Sequence, residues 1–130
     1  MKDSNDYKGW LVYARSSYNY SKTTNDDFVL FAHRCQQAHQ TAEYALKGLL
    51  IFYGEEPEHT HNIRKLLENL NKYTVLEKSV NSFIDLNTYA FQTRYPGDYK
   101  EITEEEYLKA VELAGNCLTW VENKIKERQT

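Results

Sequence analysis

The stretch FVLFAHRCQQAHQTAEYALKGLLIFYG, residues 28–54, constrains this chain more than any other part of it. Phe28, Phe31, Cys35, Ala38, Ala42, Ala45, Leu49 and Phe52 recur in steps of three and four. That spacing puts all of them on one side of an α-helix. Gly54 follows, where helices favour a left-handed stop. A helix of this length, roughly 39 Å at 1.5 Å per residue, is the spine on which the other elements of a 130-residue chain must pack. Its middle carries Ala38, Thr41, Ala42, Ala45 and Gly48, which are small enough to let a neighbouring backbone come close.

Around that spine the apolar pattern stays helical. Trp10, Leu11, Ala14 and Tyr18 predict a first helix over about Tyr7–Lys22. A polar connection follows, in which Asn25 or Asp26 is a natural N-cap for the spine. Glu55-Glu-Pro-Glu58 breaks the chain, and Thr60 can cap a third helix carrying Ile63, Leu66, Leu67 and Leu70. After a gap at Tyr73-Thr74 the pattern resumes with Leu76, Val80, Phe83, Ile84 and Asn87. Residues 92–102 are irregular. The last helix opens on a capping box, Thr103 with Glu106, and its buried stripe is Tyr107, Val111, Ala114, Leu118, Val121 and Ile125. Glu104–Glu106 and Lys124, Lys126 and Arg128 suit the two ends of its dipole. No stretch alternates with period two. The expectation is an all-α fold, an antiparallel up-down bundle of four to five helices, with residues 1–130 as a single domain.

Composition narrows the class. A net charge of -3 and a pI near 5.8 argue against non-specific grip on duplex backbone. Cys35 and Cys117 fall on apolar helix faces, which reads as reduced core thiols and a cytoplasmic location. No apolar run is long enough to cross a bilayer, and MKDSNDYKGW is too polar for a signal peptide. Eleven tyrosines are many for this length. A ring with a polar tip suits an interface or a stacking pocket as well as core edges.

Several motifs together resemble the HEPN family (higher eukaryotes and prokaryotes nucleotide-binding). Cys35-Gln-Gln-Ala-His-Gln-Thr-Ala-Glu-Tyr-Ala-Leu-Lys-Gly-Leu-Leu50 is similar to the family's second-helix pattern C-F-x-A-Q-Q-A-A-E-K-A-L-K-A-L-L. Gln40, Ala42, Glu43, Ala45, Leu46, Lys47 and Leu50 fall on it, whereas His39 and Tyr44 depart from it. Thr60-His61-Asn62-Ile63 resembles the T-H-x-L that opens helix three, and Arg94-Tyr95-Pro96 the R-Y-P before the last helix. Trp10 and Ala14 occupy the early W…A positions. The resemblance implies a dimerising helical bundle with a cleft beside the R-Y-P loop. It also implies a minimal nucleotidyltransferase as partner, in toxin–antitoxin or nucleotide-handling pairs.

Many relatives are metal-independent ribonucleases that use an Arg followed four to six residues later by His. Here Arg94 is followed by Tyr99, Lys100 and Glu101 near that spacing, and no His lies beyond His61. Tyrosine and lysine transfer protons poorly near neutrality, so no catalytic residue is assigned. Arg34 and His39 match the spacing formally, but five residues along a helix turn their side chains about 140° apart. Glu55, Glu56, Glu58, His59 and His61 form an acidic, His-bearing segment better read as a solvated loop than as a metal site, and His61 as an organiser of helix three. His33 and His39 read as surface or interface residues.

The ligand candidates are Arg94, Tyr95, Tyr99 and Lys100, with Glu43 and Lys47 as an i,i+4 pair that could line the cleft. Arginine offers a fork of donors for phosphate, and tyrosine a face for a base. The competing reading pairs Arg94 with Glu43 or another helix carboxylate, packs Tyr95-Pro96 down, and gives the loop no ligand. The expected function is therefore a nucleotide- or RNA-phosphate-binding module acting as a homodimer with a nucleotidyltransferase, without metal or cofactor. The alternatives are a divergent HEPN ribonuclease toxin and a helical interaction scaffold.

Overall fold

A computed structural model describes residues 6–23, 30–90 and 101–129. Its elements in chain order are α1 (Tyr7–Ser21), α2 (Phe31–Phe52), α3 (Ile63–Leu70), a 3₁₀ helix (Lys78–Tyr89) and α4 (Glu104–Gln129). No strand occurs among the described residues. The fold is all-α, as the periodicity predicts.

Helix directions follow from which ends meet. Tyr7, at the start of α1, packs edge-on against Phe52 at the end of α2, with centroids 5.0 Å apart. At the other end of α1, Ser21 O accepts from Tyr107 Oη at 2.7 Å. Tyr107 also stacks on Phe31, 5.1 Å away. So α1 runs antiparallel to both α2 and α4, and those two start at the same end of the bundle. The 3₁₀ helix carries the chain back between α3 and α4. Its preceding residue Glu77 accepts from Trp120 Nε1 at 2.8 Å and from Lys124 Nζ at 2.9 Å, near the end of α4.

The spine expectation holds in its essentials. Cys35, Ala38, Ala42, Ala45 and Leu49 are fully buried, and α2 touches every other helix. Gly48 provides the close approach: a Cβ there would lie 3.0 Å from Trp10 Cβ and 3.5 Å from Tyr7 O. Gly54 closes the helix end at φ 93°. Ile63, Leu66, Leu67 and Leu70 are buried as expected. Thr103 caps α4 as expected, its Oγ1 accepting from Glu106 N at 3.1 Å and donating to Glu106 Oε1 at 3.4 Å. Both cysteines are buried and free. Among the described residues, no helix is long and apolar enough to cross a membrane.

Three local expectations change. The spine starts at Phe31 behind an extended Leu30 with no side-chain cap, while Asn25, Asp26 and Phe28 lie outside the described residues. Thr60 is not the cap of α3. Its hydroxyl instead accepts from Asn62 N at 3.1 Å, and Asn62 Oδ1 caps the helix by accepting from Arg64 N at 3.0 Å. Asn87 locks that turn by donating to Asn62 Oδ1 and accepting from Ile63 N at 2.8 Å. The segment after Tyr73-Thr74 is 3₁₀, and its buried residues Val80, Phe83, Leu86 and Tyr89 recur every third position. That is the period at which 3₁₀ side chains eclipse.

Candidate functional site

On the polar flank of α2, His39, Glu43 and Lys47 stand one helical turn apart. All three are buried, exposed by no more than 8%. Lys47 Nζ donates to Glu43 Oε2 at 2.9 Å. The other carboxylate oxygen, Oε1, accepts from His61 Nδ1, also at 2.9 Å. His39 Nε2 donates to the His61 backbone carbonyl at 2.8 Å, which holds the segment before α3 against α2. Burial pushes the His39 pKa below the usual imidazole value, although the His61 carbonyl and Glu43 pull the other way. A neutral His39 with its proton on Nε2 satisfies this geometry.

His61 differs from His39 in every respect that matters for chemistry. Its side chain is 55% exposed, and its Nδ1 proton goes to a carboxylate that is itself anchored by Lys47. A carboxylate on Nδ1 fixes the tautomer and orients Nε2 as the ring's basic atom. This arrangement opens on a hollow of about 330 Å³ lined by Gln36, Gln37, His39, Gln40, Glu43, Tyr44, His61, Tyr89 and Ala90. Glutamine amides can donate to and accept from a base or sugar, and tyrosine rings offer stacking faces. Burial pushes the Tyr89 phenol up to about 12, so it stays neutral. On its far side lies a wider hollow lined by Asp85, Glu105, Glu106 and Lys109, whose acidic rim opposes a phosphate.

The candidates named from the sequence divide. Glu43 lines the hollow; Lys47 sits behind it and reaches it only through Glu43. Arg94, Tyr95, Tyr99 and Lys100 lie outside the described residues. His39 is not a surface residue: it is 3% exposed, because the segment before α3 folds over it. His61 does organise the approach to α3, and it also faces the hollow. The acidic loop diverges, with Glu55 bonded to Lys72 and Tyr73, Glu58 to Asn69 and His61 to Glu43. Sequence reasoning missed the joint role of His39 and His61. The signal was available in the 39, 43, 47 register, a polar row on a helix otherwise buried on most sides.

A model of the HEPN domain matches residues 7–124. The chain belongs to the HEPN family. Solved structures that share its fold include two HEPN-sized chains. TT1696 from Thermus thermophilus is 29% identical with a TM-score of 0.82, covering 92% of this chain and 98% of its own. ST0689, an archaeal HEPN homologue, is 25% identical with a TM-score of 0.73, covering 96% and 99%. No curated protein sequence matches the chain.

Proposed function

We propose that this HEPN protein is a nucleotide- or RNA-phosphate-binding module that works in the cytoplasm, as a homodimer, with a minimal nucleotidyltransferase as its partner. The observation that supports this reading is the Lys47–Glu43–His61 chain of charge-assisted bonds opening on a hollow of about 330 Å³. That volume is at the lower end of the range for small-molecule sites. Its amide and phenol lining suits a base and a sugar. Arg94 follows Ala90, the last lining residue, by four positions in the chain, and arginine is the side chain best suited to pair with a phosphate.

The test is calorimetry of the purified protein with the four ribonucleoside monophosphates, beside co-expression with a nucleotidyltransferase encoded next to it. Micromolar binding weakened at least tenfold by Arg94→Ala, and a partner that co-purifies, are the expected results. No heat with any nucleotide and no co-purifying partner sink the proposal.

One observation favours a second reading, a metal-independent ribonuclease. The imidazole missing after Arg94 in the sequence is present in the hollow as His61. RNA degraded by the wild type and left intact by His61→Ala supports it, and RNA left intact by both disposes of it.

A further inference from the structure

Resting on the nucleotide site proposed above, we infer that the outward face of α1 binds single-stranded RNA, stacking the bases that follow the one in the hollow. Tyr44 joins the two surfaces. It lines the hollow, and its ring meets Tyr13 of α1 edge-on, with centroids 5.7 Å apart. Trp10 packs on it as well, at 6.1 Å. Tyr13 is 63% exposed, so its ring offers a stacking face beside the hollow. Tyr20 is 59% exposed and stands seven residues further on, about 10.5 Å along the helix. Seven residues bring the chain round to almost the same side, so the two rings form one row.

The rest of the helix suits a strand. From Tyr7 to Thr23 the sequence holds no carboxylate, although the chain as a whole is acidic. Lys8, Arg15 and Lys22 recur every seventh residue and form a second row, about 140° round the helix from the tyrosines. Arg15 bonds Glu122 at 3.0 Å, which puts the cationic row on the α4 side, as Tyr44 puts the aromatic row on the α2 side. Exposed Gly9, Val12 and Ser16 lie between the rows, and a Cβ on Gly9 would meet nothing within 4 Å. A sugar–phosphate backbone can lie over those short side chains, with its bases on the rings and its charge toward Lys8 and Lys22. Aromatic faces beside lysine and arginine are how proteins hold single strands. Amides read the edges of unpaired bases, and Gln36, Gln37 and Gln40 line the hollow that Tyr44 borders. A duplex hides the base faces that tyrosine needs. A protein partner suits the face less, because lysine is depleted from protein interfaces.

The measurement is fluorescence anisotropy with labelled hexanucleotides, oligo(U) and oligo(A), and with a labelled RNA duplex. Calorimetry with the four ribonucleoside monophosphates supplies the reference. At least one hexanucleotide should bind tenfold or more tightly than its monophosphate, and more tightly than the duplex. Tyr13→Ala should weaken the hexanucleotide by about fivefold or more, the value of one stacked base, and leave the monophosphate unchanged. Tyr13→Phe keeps the ring and should keep the binding. Tyr20→Ala weakens the hexanucleotide without removing the ring that meets Tyr44. Lys8→Gln together with Lys22→Gln makes the salt dependence shallower. Circular dichroism checks that each variant folds, and sedimentation without RNA checks its oligomeric state. Monophosphate binding with hexanucleotides bound no more tightly, or bound alike by the wild type and both alanine variants, overturns this inference and leaves the nucleotide site standing. A Tyr13→Ala chain that sediments as a smaller species than the wild type marks the face as a contact between copies and overturns it too. Absence of binding by every probe overturns both this inference and the nucleotide site.

Discussion

His39 and His61 are joined by one hydrogen bond, yet the first ring is buried and the second is exposed. His39 is held neutral chiefly by desolvation, so its folded pKa lies below the 6.5 of an ordinary imidazole. The unfolded chain then binds more protons than the folded one between those two values, and stability falls as pH falls. The contribution is complete above about pH 6.5 and is lost below it. His39→Gln keeps a donor toward the His61 carbonyl but removes the titration. The expected outcome is a smaller loss of urea midpoint between pH 7 and pH 5 than in the wild type. Equal slopes in the two proteins exclude His39 as the source. None of this was legible from residue type alone. A histidine in a polar row looks like a surface group until the segment before α3 folds over it, and only the structure supplies that segment's path.

At the scale of helices, the seam between α1 and α2 depends on a missing side chain. Trp10 Cβ and Tyr7 O sit where a Cβ on residue 48 would point, at 3.0 and 3.5 Å. Both obstacles lie close to the α1 backbone and cannot swing aside. Gly48→Leu should lower stability by about 1–3 kcal/mol through overpacking, even though glycine is a poor helix former. Gly9 is the control: it lies within α1 with nothing within 4 Å, so Gly9→Ala should raise stability by about 0.5–1 kcal/mol. Chemical denaturation of the two variants reads both signs. The small residues of the spine were legible in the sequence because close packing leaves that trace in composition. The 3₁₀ helix was not. Val80 and Phe83 fit either helical period, and Leu86 and Tyr89, which decide for three, are the ones an α-helical reading passes over in favour of Ile84 and Asn87. The cap of α3 failed for a related reason, since Asn62 is fixed by Asn87, a residue 25 positions away.

For the molecule as a whole, the two thiols report how tightly the bundle closes. Burial pushes Cys35 up to about 12 and Cys117 further still. Neither is a thiolate at pH 8, and neither is open to a reagent. A disulfide-exchange reagent should label neither thiol promptly in the native protein and both at once in urea, at a native rate set by global opening. Prompt labelling of one thiol alone locates a weak seam. The overall architecture was legible because long amphipathic helices with clear ends admit few arrangements. The hollow was not, because it joins the middle of α2, the approach to α3 and the end of the 3₁₀ helix, three places that no local pattern connects.

The two tryptophans fall on different seams. Trp10 lies against Gly48 and Tyr44 on the α1 side, and Trp120 gives its indole proton to Glu77 on the side of the 3₁₀ helix. Each fluorophore thus watches its own half of the bundle, and a chain with either one replaced becomes an optical gauge for whether the halves come apart together or in turn.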